Sequence, residues 1–287
     1  MSSIKVENLC CTYGAKTPFE RHAVKDVSFE IQKGDFVGLI GHTGSGKSTL
    51  VSMLNGLIKP SSGKVYVDSV DIWQKPKEIR KFRFKVGLVF QYPEYQLFEE
   101  TVEKDIAFGP SNMGLSEEEI NKRVLNAAKF VGLTDEMLKK SPFDLSGGEK
   151  RRAAIAGVIA MDPDVLILDE PTAGLDPVGR NVLLSQISQY QKARNNTVIL
   201  VSHSMEDVAR VCNKVMVMNK GEMFMFDKTQ EIFARADELN SIGLRVPQIT
   251  RVTDRLREMG LDLPKGILTV DKAVLEITEL LKKEGRL

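Results

Sequence analysis

Residues 41–48 constrain the fold of this chain more than any other segment, because they match the spacing G-x-x-x-x-G-K-S. That spacing needs a strand, a tight loop and a helix in this order. The apolar run 35–40 supplies the strand, and a helix is predicted over 47–57. Backbone N–H groups of such a loop converge on phosphate oxygens, and the helix N-terminus adds its positive dipole end. We therefore predict a phosphate-binding loop in an α/β domain. A glycine-rich turn with a chance lysine is the alternative, which the strict spacing disfavours.

The loop by itself indicates ATP or GTP as the ligand. Lys47 would pair with the β- and γ-phosphates, and the hydroxyl of Ser48 would bind Mg²⁺. The residues of this loop and helix that we expect to hold the nucleotide are Gly41, Thr43, Gly44, Ser45, Gly46, Lys47, Ser48 and Thr49.

Two adjacent carboxylates, Asp169 and Glu170, close a later apolar strand at 165–168. Ligands of α/β sheets bind at the carboxyl ends of the strands, so both groups are expected beside the phosphates. Asp169 can hold Mg²⁺ directly or through water, and Glu170 could polarise the attacking water as a general base. The alternative is an acidic strand end that only caps a helix starting near Pro177. A complete phosphate loop in the same chain makes that alternative the weaker one.

The remaining pattern predicts further strands and helices of one large domain. Strands are predicted at 64–67, 86–90 and 197–201, and a hairpin at 214–218 and 223–226 around Asn219, Lys220 and Gly221. Residues 116–119 have the pattern of a capping box at the start of a helix. After about residue 240, two helical stretches carry apolar residues at helical spacing: Ile249, Val252, Leu256 and Met259 in the first, and Val274, Ile277 and Leu281 in the second.

Composition excludes several classes of protein. The 287 residues are 42% hydrophobic and 28% charged, with a net charge of +1, so nothing indicates nucleic acid as a partner. Cys10, Cys11 and Cys212 have no CxxC spacing, which favours a reducing cytosol. The first residues lack the apolar core of a signal peptide, and no apolar run approaches the ~20 residues of a membrane helix. If the protein works at a membrane, another subunit must hold it there.

The segment 145–149, Leu-Ser-Gly-Gly-Glu, lies upstream of the strand that ends in Asp-Glu. This combination resembles the signature of the ATP-binding cassette (ABC) ATPases, and the resemblance covers roughly residues 4–235. It implies a dimer in which Ser146, Gly147 and Gly148 of one subunit contact the γ-phosphate held by the other. A serine hydroxyl and two glycine amides at a helix N-terminus do form an anion site. Alternatively, Ser146 only caps the helix that follows, although one geometry can serve both purposes.

The resemblance implies roles for four more residues. Gln91 matches a glutamine that reaches Mg²⁺ or the attacking water, and His203 matches a histidine that hydrogen-bonds the γ-phosphate. Asp176 lies in a loop that crosses the dimer interface, and Tyr13 matches an aromatic that stacks on adenine. Without the resemblance, these residues are an ordinary loop glutamine, an incidental histidine and a turn before a helix. Phe19 or Arg21 could also approach the base in place of Tyr13.

The implied fold is an α/β, ABC-type P-loop nucleotide-binding domain over residues 1–239. It has a mixed sheet core, an antiparallel β subdomain and a helical subdomain at about 92–160 that carries the signature. Residues 240–287 are predicted to be a small C-terminal helical appendage that contributes to dimerisation, because its apolar faces need cover.

Residues 91–98 and 101–110 are similar to those of the energy-coupling factor (ECF) group, which includes cobalt-uptake ATPases. Residues 13–23 and 237–268 resemble the second of the two ATPases in such modules. The resemblance implies a peripheral ATPase at the cytoplasmic face of the cell membrane. Its partners would be a second ATPase, in a heterodimer, a transmembrane coupling subunit, and membrane subunits that capture a vitamin or metal ion. Alternatives are the ATPase of an ordinary ABC importer or exporter, or a soluble ABC protein outside transport.

The segment 91–110 also has an interpretation from its residues alone. It is rich in carboxylates and aromatic rings, which together suit a partner helix that bears arginine. We expect it to grip the coupling helix of the membrane subunit; a solvated charged face over ordinary core is the alternative. The residues of this hypothesis are Tyr92, Glu94, Tyr95, Leu97, Phe98, Glu99, Glu100, Glu103 and Asp105.

Overall fold

Ten strands form two separate β-sheets in a computed structural model that describes residues 2–283. The strands are β1 Ser2–Tyr13, β2 Arg21–Gln32, β3 Phe36–Ile40, β4 Ser62–Val67, β5 Val70–Asp71, β6 Val86–Val89, β7 Val165–Asp169, β8 Thr197–Val201, β9 Lys214–Asn219 and β10 Glu222–Lys228.

The larger sheet has six strands in the order β10-β9-β3-β8-β7-β6. All neighbours pair in parallel except β9 and β10, which form the predicted hairpin. Its turn places Lys220 and Gly221 at φ 51° and 89°, as a tight two-residue hairpin turn requires. The mixed sheet core predicted from the sequence is therefore confirmed. Because β3, β8, β7 and β6 are consecutive and parallel, the loops that leave them meet at one edge of the sheet.

The smaller sheet is antiparallel, with the order β2-β1-β4-β5, and it is the expected antiparallel β subdomain. It covers one face of the six-stranded sheet. Alternate residues of the central strands serve the two faces: Val165 and Ile167 of β7 pack with the small sheet, while Leu166 and Leu168 pack with the helices. Burial on both faces explains why these strands are continuous apolar runs.

Twelve helices and three short 3₁₀ turns complete the described part of the chain. The first helix is shorter than predicted, since Gly56, at φ 75°, ends it. The helices are α1 Lys47–Leu54, α2 Ile79–Lys85, α3 Val102–Asn112, α4 Glu117–Phe130, α5 Asp135–Leu138, α6 Gly147–Ile159, α7 Pro177–Arg194, α8 Met205–Val211, α9 Thr229–Phe233, α10 Ala236–Ser241, α11 Gln248–Glu258 and α12 Val270–Lys283; the 3₁₀ turns are Pro76–Glu78, Pro93–Gln96 and Pro142–Asp144.

The capping box predicted at the start of α4 is only half formed. The hydroxyl of Ser116 accepts a hydrogen bond from the backbone N–H of Glu119 at 3.4 Å, as expected. The carboxylate of Glu119 instead binds Arg123 at 2.8 Å, one turn further along the helix. An oppositely charged partner at i+4 competes successfully with a neutral backbone N–H for this side chain.

The C-terminal helices form where they were predicted, but their apolar faces are only partly buried. Thr250 and Thr253 face inward from α11, where the hydroxyl of Thr250 donates to Ile267 O at 2.7 Å. Val252, Met259 and Val274 remain 52%, 69% and 57% exposed. The predicted domain boundary at residue 240 lies within α10, and residues 284–287 of the appendage lie outside the described residues. None of the helices in 2–283 is both long and apolar enough to cross a membrane.

Candidate nucleotide-binding site

A cleft of about 380 Å³ lies at the carboxyl edge of the six-stranded sheet, where α/β sheets bind their ligands. The loops after β3, β6, β7 and β8 all reach it, so segments far apart in the sequence meet here. The cleft is lined by Tyr13, Arg21, Ala23, Thr43, Gly44, Gly46, Lys47, Ser48, Thr49, Gln91, Asp169, Glu170 and His203.

The phosphate loop between β3 and α1 depends on glycine at two close approaches of backbone. A Cβ on Gly41 would stand 2.3 Å from Met218 O, and one on Gly46 would stand 2.4 Å from Ala23 O. Gly46 also has φ 102°, which other residues rarely adopt. These contacts fix the loop against β9 and β2, so its N–H groups are held in place before any ligand arrives. Gly41 and Ser45 belong to the loop but do not line the cleft.

The ammonium group of Lys47 folds back over the loop. It donates hydrogen bonds to Gly41 O at 2.6 Å and His42 O at 3.0 Å, and the residue is 7% exposed. Burial lowers the pKa of Lys47, while the charges of Glu170 and Asp169 oppose that shift. The hydrogen bonds therefore confine the amino group of Lys47 at the position where phosphate oxygens would bind.

The two carboxylates at the end of β7 differ in their surroundings. Burial raises the pKa of Asp169, and a hydrogen bond from the Ser48 hydroxyl limits the rise. Burial and the neighbouring charge of Asp169 raise the pKa of Glu170 to about 6. Glu170 adopts φ 52°, a left-handed conformation that is uncommon for glutamate, and its backbone N–H donates to Val201 O at 3.0 Å. The strained backbone turns the side chain out of the strand and toward the cleft.

His203, from the loop after β8, contacts the second of these carboxylates. Its Nε2 lies 3.1 Å from Glu170 Oε1, although half of the ring is exposed to solvent. Burial and the charge of Lys47 lower the pKa of His203. At neutral pH the ring is therefore largely neutral, so Nε2–H can donate to an oxygen without carrying a full charge.

Tyr13 and Arg21 form the outer wall of the cleft. They are cross-strand partners of β1 and β2, so their side chains leave the same face of the sheet. The hydroxyl of Tyr13 lies 3.3 Å from Thr49 Oγ1. An Nη atom of Arg21 lies 3.3 Å from the place that a Cβ on Gly44 would occupy, and the guanidinium has no carboxylate partner within 2–283. Phe19 is 86% exposed and does not line the cleft.

The sequence interpretation considered Arg21 only as a rival to Tyr13, and it overlooked Ala23. In the sequence, only the positive charge of Arg21 could have indicated that it lies beside a phosphate site. Its position there depends on the register between β1 and β2, which the sequence does not show.

The signature residues lie outside this cleft, at the N-terminus of α6. Ser146 and Glu149 form a complete capping box: Ser146 Oγ accepts from Glu149 N at 3.4 Å, and Ser146 N donates to Glu149 Oε2 at 2.7 Å. No atom lies within 4 Å of a Cβ built on Gly147, so this helix end is open. Asp176 is also outside the cleft and caps α7 by accepting from Gly179 N at 2.7 Å. The structure thus places an open helix N-terminus, of the kind that can bind an anion, outside the cleft that holds the phosphate loop.

The predicted acidic groove of 91–110 is wrong for two of its five carboxylates. Glu94 turns inward and pairs with Arg151 at 2.6 Å. Asp105 is buried and accepts from the backbone N–H groups of Phe98 and Glu99, both at 3.2 Å. Unpaired N–H groups and a buried cation attract these carboxylates more strongly than solvent does. The outer surface keeps four exposed aromatic rings and three carboxylates: Tyr92, Tyr95, Phe98, Phe108, Glu99, Glu100 and Glu103.

The strand order, the phosphate loop and the paired carboxylates together define a P-loop nucleotide-binding cassette. A family model described as "ABC transporter" matches residues 24–173. The Energy-coupling factor transporter ATP-binding protein EcfA2 of Clostridium tetani (strain Massachusetts / E88) is 54% identical over 284 residues, 99% of this chain and 99% of the relative. The chain belongs to the ABC transporter family, in its branch of energy-coupling factor ATP-binding proteins.

Solved structures support the same assignment. The structure of cbiO1 from Clostridium perfringens, part of the ABC transporter complex cbiONQ, has a TM-score of 0.75 and 40% identity, over 88% of this chain and 99% of that one. A dimeric ATP-binding cassette in a post-hydrolysis state, bound to ADP and Pi, has a TM-score of 0.71 and 29% identity. The match covers 79% of this chain and 98% of that one. The predicted family and fold class are therefore confirmed.

Proposed function

We propose that this chain is an ATP-hydrolysing subunit of an energy-coupling factor transporter, and that it is active only when paired with a second cassette. The observation that carries the proposal is the separation of two half-sites. The cleft contains the phosphate loop and the acidic pair, while Ser146 and Gly147 do not line it and lie at an open helix end. A second cassette can place its own signature segment over this cleft and receive the signature segment of this chain in return.

Within such a dimer, the chain's own residues divide the work of hydrolysis. Lys47 and the N–H groups of the loop hold the β- and γ-phosphates. Glu170, with a pKa of about 6, takes a proton from the attacking water, and His203 Nε2 orients the γ-phosphate. Tyr13 stacks on the adenine. The positions of these side chains around one cleft support the proposed roles.

The donor set fits Mg²⁺ bound together with the phosphates of ATP. The hydroxyl of Ser48 contacts the carboxylate of Asp169, and Gln91 lines the same cleft. No group of three or more His, Cys, Asp or Glu side chains within 2–283 is placed to hold a metal alone. Mg²⁺ commonly takes one or two protein oxygens and completes its shell with phosphate and water. The ion would neutralise charge on the phosphates while Ser48, Gln91 and Asp169 hold it in place.

The second cassette is a related ATP-binding subunit, in a heterodimer, and the C-terminal helices add to its contact. The exposed apolar residues of α11 and α12 support this, because a soluble domain rarely leaves such residues without a partner when several occur in one small unit. Residues 1–239 then form the catalytic domain, and 240–287 form the appendage that strengthens pairing.

The outer surface of 91–110 meets the membrane coupling subunit, which serves subunits that capture a vitamin or metal micronutrient. Tyr95 is 84% exposed and lies beside Tyr92, with ring centroids 6.2 Å apart, and Phe98 packs edge-on against Phe108 at 5.0 Å. Exposed rings that are already ordered suit a protein contact. The chain would thus be held at the cytoplasmic face of the membrane by this partner.

The Glu170→Gln substitution tests the proposal in the assembled transporter complex. The amide cannot accept the water's proton, so hydrolysis by the altered chain should fall by about 10²–10⁴ while ATP binding is retained. ATP turnover and nucleotide affinity are measured on the same preparation, with Glu117→Gln, at an exposed position on α4, as a control outside the cleft. Undiminished hydrolysis by the Glu170→Gln complex would contradict the assigned role.

A further inference from the structure

Arg151 is the only buried arginine among the described residues, with 4% of its surface exposed. It lies in the second turn of α6, three residues after the signature glycines. A buried guanidinium is costly unless every donor finds a partner, so its contacts are informative.

The guanidinium makes a two-pronged contact with Glu94. Nε donates to Glu94 Oε2 at 3.0 Å, and Nη2 donates to Glu94 Oε1 at 2.6 Å. Glu94 lies in the 3₁₀ turn Pro93–Gln96, three residues after Gln91 and between the exposed rings of Tyr92 and Tyr95 in the sequence. Burial alone would raise the pKa of Glu94, but the hydrogen bonds and charge of Arg151 hold it below its usual value. The pair is therefore ionised, and it connects α6 to the segment that faces the membrane partner.

The third nitrogen of the guanidinium, Nη1, reaches the loop that follows Glu170, the proposed general base. Nη1 donates to Pro171 O at 3.3 Å and makes a short hydrogen bond to Ala173 O. The turn is closed behind the base, since Ala173 N donates to Glu170 O at 3.1 Å. The same guanidinium also lies over the ring of Tyr92, 5.9 Å from its centroid. One side chain thus touches the outer segment, the signature helix and the loop of Glu170.

We propose that Arg151 is a positioning residue that makes these three segments move as one unit. This inference rests on the proposed function, because it assumes that the signature serves a nucleotide held by the second cassette. A displacement of Glu94 by the membrane partner would then shift the signature end of α6 and the loop of Glu170 together. The guanidinium of Arg151 would thus link the cleft of this chain to the signature segment that the chain places over the nucleotide of the second cassette.

A lysine at this position keeps the charge but cannot make the planar fork. In the assembled complex, Arg151→Lys should lower kcat about tenfold or more, with the KM for ATP and the nucleotide affinity of the chain within about twofold of wild type. Glu94→Gln should lower kcat in the same way. The double variant should be no slower than the slower single variant, within about twofold, because both changes break one link.

Arg123→Lys is the matched control. Arg123 also binds a carboxylate, Glu119 at 2.8 Å, and a backbone carbonyl, Met161 O at 3.0 Å, but it contacts none of the three segments. This variant should keep wild-type kcat.

The rates are expressed per nucleotide-binding chain, and the midpoint of thermal unfolding is recorded for each variant. A wild-type kcat for Arg151→Lys, a loss that only follows reduced nucleotide affinity, or a multiplicative loss in the double variant would overturn the proposal. If Arg151→Lys does not fold, Glu94→Gln decides alone, since it leaves the arginine in place. The Glu170→Gln complex separates the two hypotheses. If this complex hydrolyses ATP at the wild-type rate, the proposed function fails. If Glu170→Gln lowers hydrolysis but the Arg151→Lys complex keeps the wild-type rate, only the positioning role fails.

Discussion

At the scale of single residues, Glu170 and Asp169 show how neighbouring carboxylates acquire different tasks. Burial raises the pKa of Asp169, and a hydrogen bond from Ser48 limits the rise. Burial, together with the charge of Asp169, raises the pKa of Glu170 to about 6. A base whose pKa lies slightly below neutral pH is mostly ionised and yet basic enough to accept a proton.

The first prediction concerns pH. Only the ionised form of Glu170 accepts a proton, so hydrolysis should be lost as the pH falls through about 6. With that pKa, the ionised fraction at about pH 5.5 is roughly fourfold lower than at about pH 7.5. The measurement is the ATPase rate of the complex at saturating ATP, corrected for unfolding. A profile that is flat through this range would show that Glu170 does not titrate as the base. The neighbouring Lys47, Asp169 and His203 are unchanged in the Glu170→Gln control, whose residual rate should lack this slope.

A second residue-scale prediction concerns Arg21. Its guanidinium lies beside Gly44 and has no carboxylate partner in the described part of the chain, so a nucleotide phosphate can become its partner. Arg21→Ala should weaken ATP binding about three- to tenfold, and the loss should shrink at high salt because the group is exposed. Binding of a fluorescent ATP analogue measures this. Lys59→Ala, which removes an exposed cation away from the cleft, should leave affinity unchanged; an equal loss there would point to net charge instead.

The sequence predicted most of the cleft because each motif is tied to one local structure. Residues 41–48 fix their own loop, and an apolar strand that ends in two acids fixes where those acids lie. Contacts between distant segments were not predictable in the same way. Arg21 depends on cross-strand register, and Glu94 finds its partner 57 residues away, at Arg151.

At the scale of elements, the segment 91–110 combines an inner and an outer surface. Its inner carboxylates, Glu94 and Asp105, bind within the fold, and its rings face outward. Composition correctly indicated an unusual segment, but it assigned all five acids to one side. Burial of Asp105 follows from the start of α3, where the N–H groups of Phe98 and Glu99 needed an acceptor.

This division predicts which acids matter to the membrane partner. Reversing Glu99 and Glu103 to lysine should weaken assembly with the coupling subunit by about tenfold or more, because both lie on the outer surface beside the rings. The fraction of coupling subunit that co-purifies from detergent measures the effect. Reversal of Glu117 and Glu118, at the start of α4, is the control. Unchanged assembly after reversal of Glu99 and Glu103 would rule out the acidic rim as a contact.

The C-terminal helices illustrate a different limit of periodicity. The apolar spacing predicted both helices, and the structure forms them there; the cover of their apolar faces by a partner stays a prediction. Periodicity does not reveal what provides that cover. In the structure the inner face of α11 is made by Thr250 and Thr253, whose hydroxyls bind backbone carbonyls, while Val252 and Met259 face outward.

At the scale of the whole molecule, the proposed dimer would use two surfaces of the chain: the open end of α6 and the apolar faces of α11 and α12. We predict that Val252→Glu combined with Val274→Glu weakens pairing of the cassettes about tenfold or more, since charge on an apolar contact must be desolvated. ATP affinity of the single chain should be unchanged. Analytical ultracentrifugation with the partner cassette measures the association. Leu125→Glu, on the exposed side of α4, is the control; equal pairing of all variants would remove the appendage from the interface.

The convergence of four loops on one sheet edge has a consequence for folding as well. ATP bound in the cleft would lie against residues 43–44, 46–49, 91, 169–170 and 203, and it would so tie together loops that are distant in sequence. A ligand that binds only the folded chain stabilises it by mass action, by about 2.7 kcal/mol at a concentration one hundred times its Kd. The substrate would thus also act as a structural component of the cassette, and each release of product would return the sheet edge to a less stable state.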